Sequence, residues 1–206
     1  VLLRNIAIRG NQRTKVALMK DTLDLEVGQP IRPSDINTAR QELYDLDLFE
    51  SVNIRLYGDD ESSQDVLIDV QERSNIELSL GGAAATDQGV LATSSAMHRN
   101  LFGIGHQLSL IGQFGYSWDE ENWWSFDNEE PVWKLASRYT AKRYPVSATS
   151  LFAETLFQEI VQEPSYRMVR SGGGVGLNIS PNPTVNALLE YRVHQMRLDD
   201  YEDGLF

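Results

Sequence analysis

From Ser74 onward the helical period is absent from this chain and a two-residue alternation takes its place. Strands with period two have one apolar and one polar face, so this pattern reads as seven strand-like segments, of which the second and fifth alternate poorly and the sixth carries Gly172-Gly-Gly174. They run at roughly 76–83, 90–98, 106–116, 132–142, 147–160, 166–178 and 185–197. Apolar positions line one face: Ile76, Leu78 and Leu80 in the first segment, Leu108, Leu110, Phe114 and Tyr116 in the third. Trp133, Leu135 and Tyr139 continue it in the fourth, and Val185, Ala187, Leu189, Tyr191 and Val193 in the last. Opposite them stand Glu77 and Ser79; Gln107, Ser109 and Gln113; Lys134, Arg138 and Lys142; Asn186, Glu190, Arg192 and His194. A soluble sheet covers its apolar face with another layer, whereas a membrane barrel turns that face to lipid and keeps the polar face inside. Alternation alone leaves both open.

Residues 1–73 follow a different grammar. Leu3–Arg9 reads as a strand closed by Gly10-Asn11, and Thr14 is placed to cap a helix over Lys15–Leu23 with Val16, Met19 and Leu23 on one stripe. Gly28 and Pro30 break the chain, and Pro33-Ser34-Asp35 opens a second helix with Ile36, Ala39, Leu43 and Leu46 on one side. Ser51–Tyr57 and Asp65–Glu72 alternate as strands around the polar turn Gly58–Gln64. The order strand, helix, helix, strand, strand defines a small α+β domain with two helices on one face of a three-stranded sheet. The domain division is therefore 1–73 and 74–206.

Composition narrows the function. A net charge of −12 argues against a nucleic-acid partner, because phosphate contacts need clustered Lys and Arg. No apolar run approaches the roughly 18–20 residues of a membrane helix, which leaves strands as the only way to cross a bilayer. The absence of cysteine fits any compartment, an oxidising one included. Val1 opens directly into a strand and the chain stops beyond an acidic stretch from Asp199, so it reads as a piece of something longer. Enzyme chemistry finds no support. His98, His106 and His194 fit no metal spacing, and Gly172-Gly-Gly-Val-Gly176 lies in a strand with no helix after it, unlike a phosphate loop. No catalytic residue, metal ligand or cofactor is expected.

Ile8-Arg-Gly-Asn11 followed by Thr14, Gly28 with Pro30, Leu46-Asp-Leu-Phe49 followed by Val52–Leu56, and Val70-Gln-Glu-Arg73 together resemble a POTRA (polypeptide-transport-associated) domain. Arg99-Asn-Leu-Phe-Gly103 with Gly105, and the Tyr144-Pro145 turn, resemble the opening of the surface-antigen barrel that follows the last POTRA domain in BamA- and TamA-type outer-membrane assembly proteins. The resemblance implies a bacterial outer-membrane barrel, incomplete in this chain, with the POTRA part in the periplasm. Its partners would be unfolded outer-membrane or secreted client proteins, accessory assembly proteins and outer-membrane lipid.

It also implies two sites. Strand Ser51–Tyr57 would be an exposed edge that pairs with client segments by β-augmentation, with Val52, Ile54 and Leu56 on the core and Asn53, Arg55 and Tyr57 beside the groove. Ile76, Glu77, Leu78, Ser79 and Leu80 would form the first barrel strand, a lateral gate weakened by Gly81-Gly82 and three alanines. Duller readings stand beside both: a spacer domain, and an ordinary strand ending in a turn. Trp123-Trp124, within the acidic Asp119–Glu130 loop, would be an interfacial anchor or a small hydrophobic tuck. Lys134, Arg138 and Lys142 with Glu154 and Glu190 would line a charged lumen or a wet sheet face. Two other functions compete with assembly: a two-partner-secretion exporter, and a soluble binding protein made of an α+β domain joined to a β-sandwich. Seven strands with open edges require either further strands of a longer protein or pairing with a second copy.

Overall fold

The computed structural model describes residues 1–23, 25–58, 62–85, 89–117, 130–144, 146, 148, 149–161, 166–182 and 184–201. They form two compact units, one of Val1–Asn75 with Arg99–His106, the other of Ile76–His98 with Gln107–Phe206.

The first unit begins with β1 (Leu2–Arg9), α1 (Val16–Leu23), α2 (Pro33–Asp45), β2 (Phe49–Tyr57) and β3 (Ser63–Glu72). β3 is central: it pairs parallel with β1 and antiparallel with β2, giving the order β1-β3-β2. Val66, Ile68 and Val70 of β3 are buried against Met19 and Leu23 of α1 and Ile36, Ala39 and Leu43 of α2. Two irregularities set the phase. A register shift between Leu3 and Asn5 puts Leu3, Ile6 and Ile8 on the core side although the first two are three apart. Another between Phe49 and Ser51 does the same for Phe49 and Val52. α2 opens with Pro33 at its first turn, and the Asp35 carboxylate accepts the Arg32 backbone N–H at 2.9 Å.

Two expected core positions are corrected. Val16 is exposed, and the buried stripe of α1 is Met19, Thr22 and Leu23, with Leu18 packed at its margin. Leu56 is exposed because the apolar cluster extends along β2 only as far as Ile54.

The second unit is one antiparallel sheet in chain order, from β4 (Ile76–Ala85) through β5 (Gly89–Leu101), β6 (His106–Ser117), β7 (Glu130–Lys142), β8 (Thr149–Val161) and β9 (Tyr166–Asn182) to β10 (Val185–Tyr201). The seven strands do not divide into two packed sheets, so the sandwich alternative is overturned. The last two strands run to Asn182 and Tyr201, four residues beyond the alternation that marked each of them. Among the described residues no helix is long and apolar enough to cross a membrane, which says nothing of crossing by strands.

Candidate functional site

β2 lies at one edge of its sheet. Asn53, Arg55 and Tyr57 are exposed along it, opposite Asp69, Leu67 and Asp65 of β3. The Val52 N–H does not reach β3; it donates to the Tyr44 hydroxyl of α2 at 3.1 Å. In an antiparallel pair, residues with outward main-chain groups alternate with those bonded across the ladder. The outward groups of β2 therefore belong to Val52, Ile54 and Leu56, and the first of them is already occupied by Tyr44. The side chains expected beside the groove and the main-chain groups that would bind a strand thus come from alternate residues.

β4 is an open edge of the larger sheet. Ile76, Leu78 and Leu80 are 59%, 73% and 88% exposed, with Glu77 and Ser79 on the opposite side. Ile76 and Glu77 face His98 and Met97 on β5, but from Leu78 on the neighbours are small: Leu78 faces Ala96, Ser79 faces Ser95, Leu80 faces Ser94 and Gly82 faces Ala92. Cross-strand side-chain pairs supply much of a sheet's stability, and little is available here. β10 is the other open edge.

Register aligns the apolar positions across strands. Leu108, Tyr139, Ala153, Val175 and Tyr191 form one row, Leu110 and Val193 lie in the next, and Leu135 and Phe157 in the one beyond. Leu110, Leu135, Phe157, Val175, Leu189 and Val193 of this face are all exposed. Aromatic residues gather toward one end of it: Phe114 meets Tyr116 edge-on, and Trp133 stacks on Phe157 at 5.5 Å. An exposed apolar band with clustered aromatic residues is the pattern found on the outer surfaces of transmembrane barrels. Trp123 and Trp124 lie outside the described residues, as does Pro145.

The polar face carries a built network. Glu154 on β8 sits between Arg138 on β7, at 3.8 Å, and Arg192 on β10, whose Nε donates at 2.9 Å. Arg192 also pairs with Glu190. The guanidinium of Arg138 lies 4.1 Å over the ring of buried Phe152. The glycines of β9 make room for this. A Cβ on Gly176 would stand 2.3 Å from the Phe152 ring, one on Gly174 2.9 Å from the Arg192 side chain, and one on Gly172 2.4 Å from His194 Nδ1. Bare backbone lets long side chains of neighbouring strands lie flat across β9. Lys134, Arg138, Glu154 and Glu190, expected on a polar face, are brought together there. Arg170, Arg192, His194 and Phe152 are added by register, and the alternate glycines were their signal.

A second constellation falls within the first unit. Asp47 follows α2 with φ of 59°, a left-handed conformation that short polar residues tolerate. One of its oxygens accepts Arg73 at 2.6 Å and the other accepts Arg99. Buried Asn100 donates to the Thr14 hydroxyl at 2.9 Å and accepts the Gly105 N–H at 2.8 Å, while Lys15 N–H donates to the Gly103 carbonyl. Gly103 has φ of 72°, and a Cβ there would lie 2.4 Å from the Arg13 carbonyl oxygen, so glycine is required twice over. Thr14, expected as a helix cap, is buried in this network instead. Glu72 closes it, accepting the Thr14 N–H at 2.7 Å and the Arg13 N–H at 3.0 Å. Burial pushes the Glu72 carboxyl up, but hydrogen bonds from Thr14, Arg13 and Gln12 outweigh it and hold the group below the usual value. Asp65 is also held low, by a two-pronged hydrogen bond from Arg4. Among the described residues no group of His, Asp and Glu could hold a metal ion.

Taken together, these features describe a small β-α-α-β-β domain followed by a single antiparallel seven-stranded sheet whose edges stay open among the described residues. Residues 1–73 match the family model for POTRA, the surface antigen variable number repeat. Over 106 residues the chain is 29% identical to the outer membrane protein assembly factor BamA of Neorickettsia risticii (strain Illinois), an alignment covering 52% of this chain and 14% of that protein. The fold resembles the crystal structure of BamA from Haemophilus ducreyi lacking POTRA domains 1–3, with a TM-score of 0.76 at 16% identity over 100% of this chain and 37% of that one. It also resembles CdiB from Acinetobacter baumannii, with a TM-score of 0.62 at 15% identity, over 97% of this chain and 39% of that one. The chain spans well under half the length of each of these proteins.

Proposed function

We propose that this chain is part of an outer-membrane protein assembly factor, with its POTRA domain in the periplasm and its strands in the outer membrane. The observation that carries the reading is the inverted sheet: a single layer whose apolar face is bare and whose polar face holds the ion pairs. In water such a face has no covering; in a bilayer it has one. The POTRA edge at β2 receives an extended client segment, whose main chain bonds Ile54 and Leu56 while Asn53, Arg55 and Tyr57 contact its side chains. The β4 edge, with Ile76, Leu78 and Leu80 toward lipid and Glu77 and Ser79 away from it, is the lateral gate at which client strands pair. The work is done by strand pairing and burial of lipid-facing side chains, without nucleotide.

The test is site-specific photo-crosslinking in the intact outer-membrane protein that contains this chain, with the label at Arg55 or at Ser79 and an unfolded outer-membrane client supplied. Crosslinks from both positions are expected, with client then inserted in the bilayer. Client captured at neither strand edge would end the proposal, and client delivered wholly across the membrane would replace assembly with export.

A further inference from the structure

The Val52 N–H points out of the β2 edge, yet it is held within the domain: it donates to the Tyr44 hydroxyl at 3.1 Å, an ordinary hydrogen-bond length. Both partners are fixed in place. The Val52 side chain is buried in the core, which sets its backbone. Tyr44 stands at the end of α2, where its carbonyl accepts the Asp47 N–H at 2.9 Å. Asp47 is in turn gripped by Arg73 and Arg99. At the far end of β2, Tyr57 is the last residue paired with β3 among those described. Between these limits the outward main-chain groups are those of Ile54 and Leu56. On the α2 side the edge is flanked by two exposed apolar side chains, Leu56 itself and the ring of Tyr44.

We propose that Tyr44 is a stop for strand addition at β2, a positioning residue whose hydroxyl closes the edge at Val52 and confines an extended client segment to Ile54 and Leu56. This rests on the reading of β2 as the client-binding edge. A client strand that ran on past Ile54 would need its carbonyl oxygen where the Tyr44 hydroxyl already accepts the Val52 N–H. Pairing therefore ends one bond early. Residues directly opposed on adjacent strands point to the same face. The client residue opposite Leu56 thus lies on the α2 side, where Leu56 and the Tyr44 ring favour an apolar side chain. A footprint shortened by one main-chain bond holds its client about fivefold less tightly. Weak capture suits a domain that passes its client on.

The test uses the full chain in lipid nanodiscs with its backbone amides labelled for NMR. The probe is a blocked peptide copy of Val185–Val193, VNALLEYRV, an alternating strand of this same chain. In the wild-type chain, saturable shifts are expected at the Ile54 and Leu56 amides and none at Val52. Tyr44→Phe keeps the ring and removes the hydroxyl. There the Val52 amide is expected to join the other two, and the peptide to bind about fivefold tighter, the gain of one hydrogen bond. A tyrosine that merely braces α2 against β2 predicts the opposite, a looser edge and weaker binding. A Val52 amide that already responds in the wild-type chain would overturn the stop, and needs no variant. So would Tyr44→Phe that binds no tighter while Val52 stays silent. In both cases Ile54 and Leu56 still respond and the client-binding edge survives. Silence at Ile54 and Leu56 in both proteins would remove that edge, and the stop with it.

Discussion

In the POTRA unit Leu43, Phe49, Val66 and Ile68 are buried; in the sheet unit Leu135, Leu189, Tyr191 and Val193 stand in the open, and the latter's buried apolar residues are Ala141 and Phe152. The two units draw on the same kinds of side chain and turn them in opposite directions. In the first, helices α1 and α2 cover one sheet face and the apolar stripe closes on itself. In the second no layer among the described residues covers the apolar face, where only the small Ala141 is buried, and the large buried side chain is on the polar face, where Phe152 is pressed between a glycine backbone and an arginine. The difference teaches which solvent each unit is built for. Burial of apolar area drives folding where the alternative is water. Where the alternative is hydrocarbon, backbone pairing and polar packing carry the structure instead.

The sharpest way to break this contrast is to truncate one large apolar residue on each side. Phe49→Ala removes a fully buried ring and is expected to cost the POTRA unit about 3–5 kcal/mol. Leu135→Ala, on the bare face, is expected to leave the unfolding of that unit unchanged, whereas Leu135→Arg is expected to destabilise the sheet by about 2–4 kcal/mol in a bilayer if the residue sits near its midplane. Urea titrations of the protein in lipid vesicles, followed with probes in each unit, read both effects. A harmless Leu135→Arg would mean that this face does not meet lipid.

The next effect tests how the first unit is assembled. Asn100→Ala removes two hydrogen bonds from a buried site and strands the Thr14 hydroxyl and the Gly105 N–H, at an expected cost on the order of 2 kcal/mol to that unit. Asn100→Asp keeps the acceptor for Gly105 but loses the donor to Thr14, and is expected to fall between. Equal stability of all three proteins would show that residues 99–106 contribute nothing to the unit in which they lie.

The alternation of Leu108, Leu110, Phe114 and Tyr116 was legible in the sequence because a strand's period is two whatever solvent it faces. The direction of that face was not, since lipid and a second sheet demand the same pattern. Seven strands could be counted, yet their order, and the fact that they form one layer, rest on pairing across many residues. The helices of residues 1–73 were legible from their stripes, but Val16 and Leu56 satisfied the period and still lie outside the core. Periodicity says which residues share a side, and only packing says where the cover ends. The candidate strand edges could be named from the resemblance, whereas the occupation of Val52 by Tyr44 depends on a helix–strand contact with no local signature. Asp47, Arg73 and Arg99 are distant in sequence, and nothing near any of them announced the others.

A smaller effect probes the polar face. Gly176→Ala places a methyl group 2.3 Å from the Phe152 ring, which must then lift from β9 and disturb the guanidinium above it. Overpacking of this kind is expected to cost about 1–3 kcal/mol. Near-ultraviolet circular dichroism should lose the signal of an immobilised Phe152, and Phe152→Leu combined with Gly176→Ala should recover part of the stability. If Gly176→Ala is silent by both measures, the glycines of β9 are not there to seat side chains.

The smallest effect concerns acid. Glu72 is held below its ordinary carboxylate value in the folded POTRA unit, while in the unfolded chain it titrates near 4.5. A group whose folded value is depressed adds stability above its unfolded value and loses it as pH falls through the folded one. The POTRA unit is therefore expected to keep a constant contribution from Glu72 at neutral pH and to lose it as the pH drops below about 4.5. Much of the carboxylate remains open to water, so the loss is modest and is best isolated by difference. Stability of the wild-type chain and of Glu72→Gln is measured by urea titration at pH 7 and again at acid pH, where the carboxyl is protonated. The gap between them is expected to be wide at neutral pH and to close in acid, because protonation does to the native side chain what the substitution does at every pH. A gap that stays constant across the range would assign the role of Glu72 to its shape and packing, and would remove charge from the account of how the Thr14 network is held.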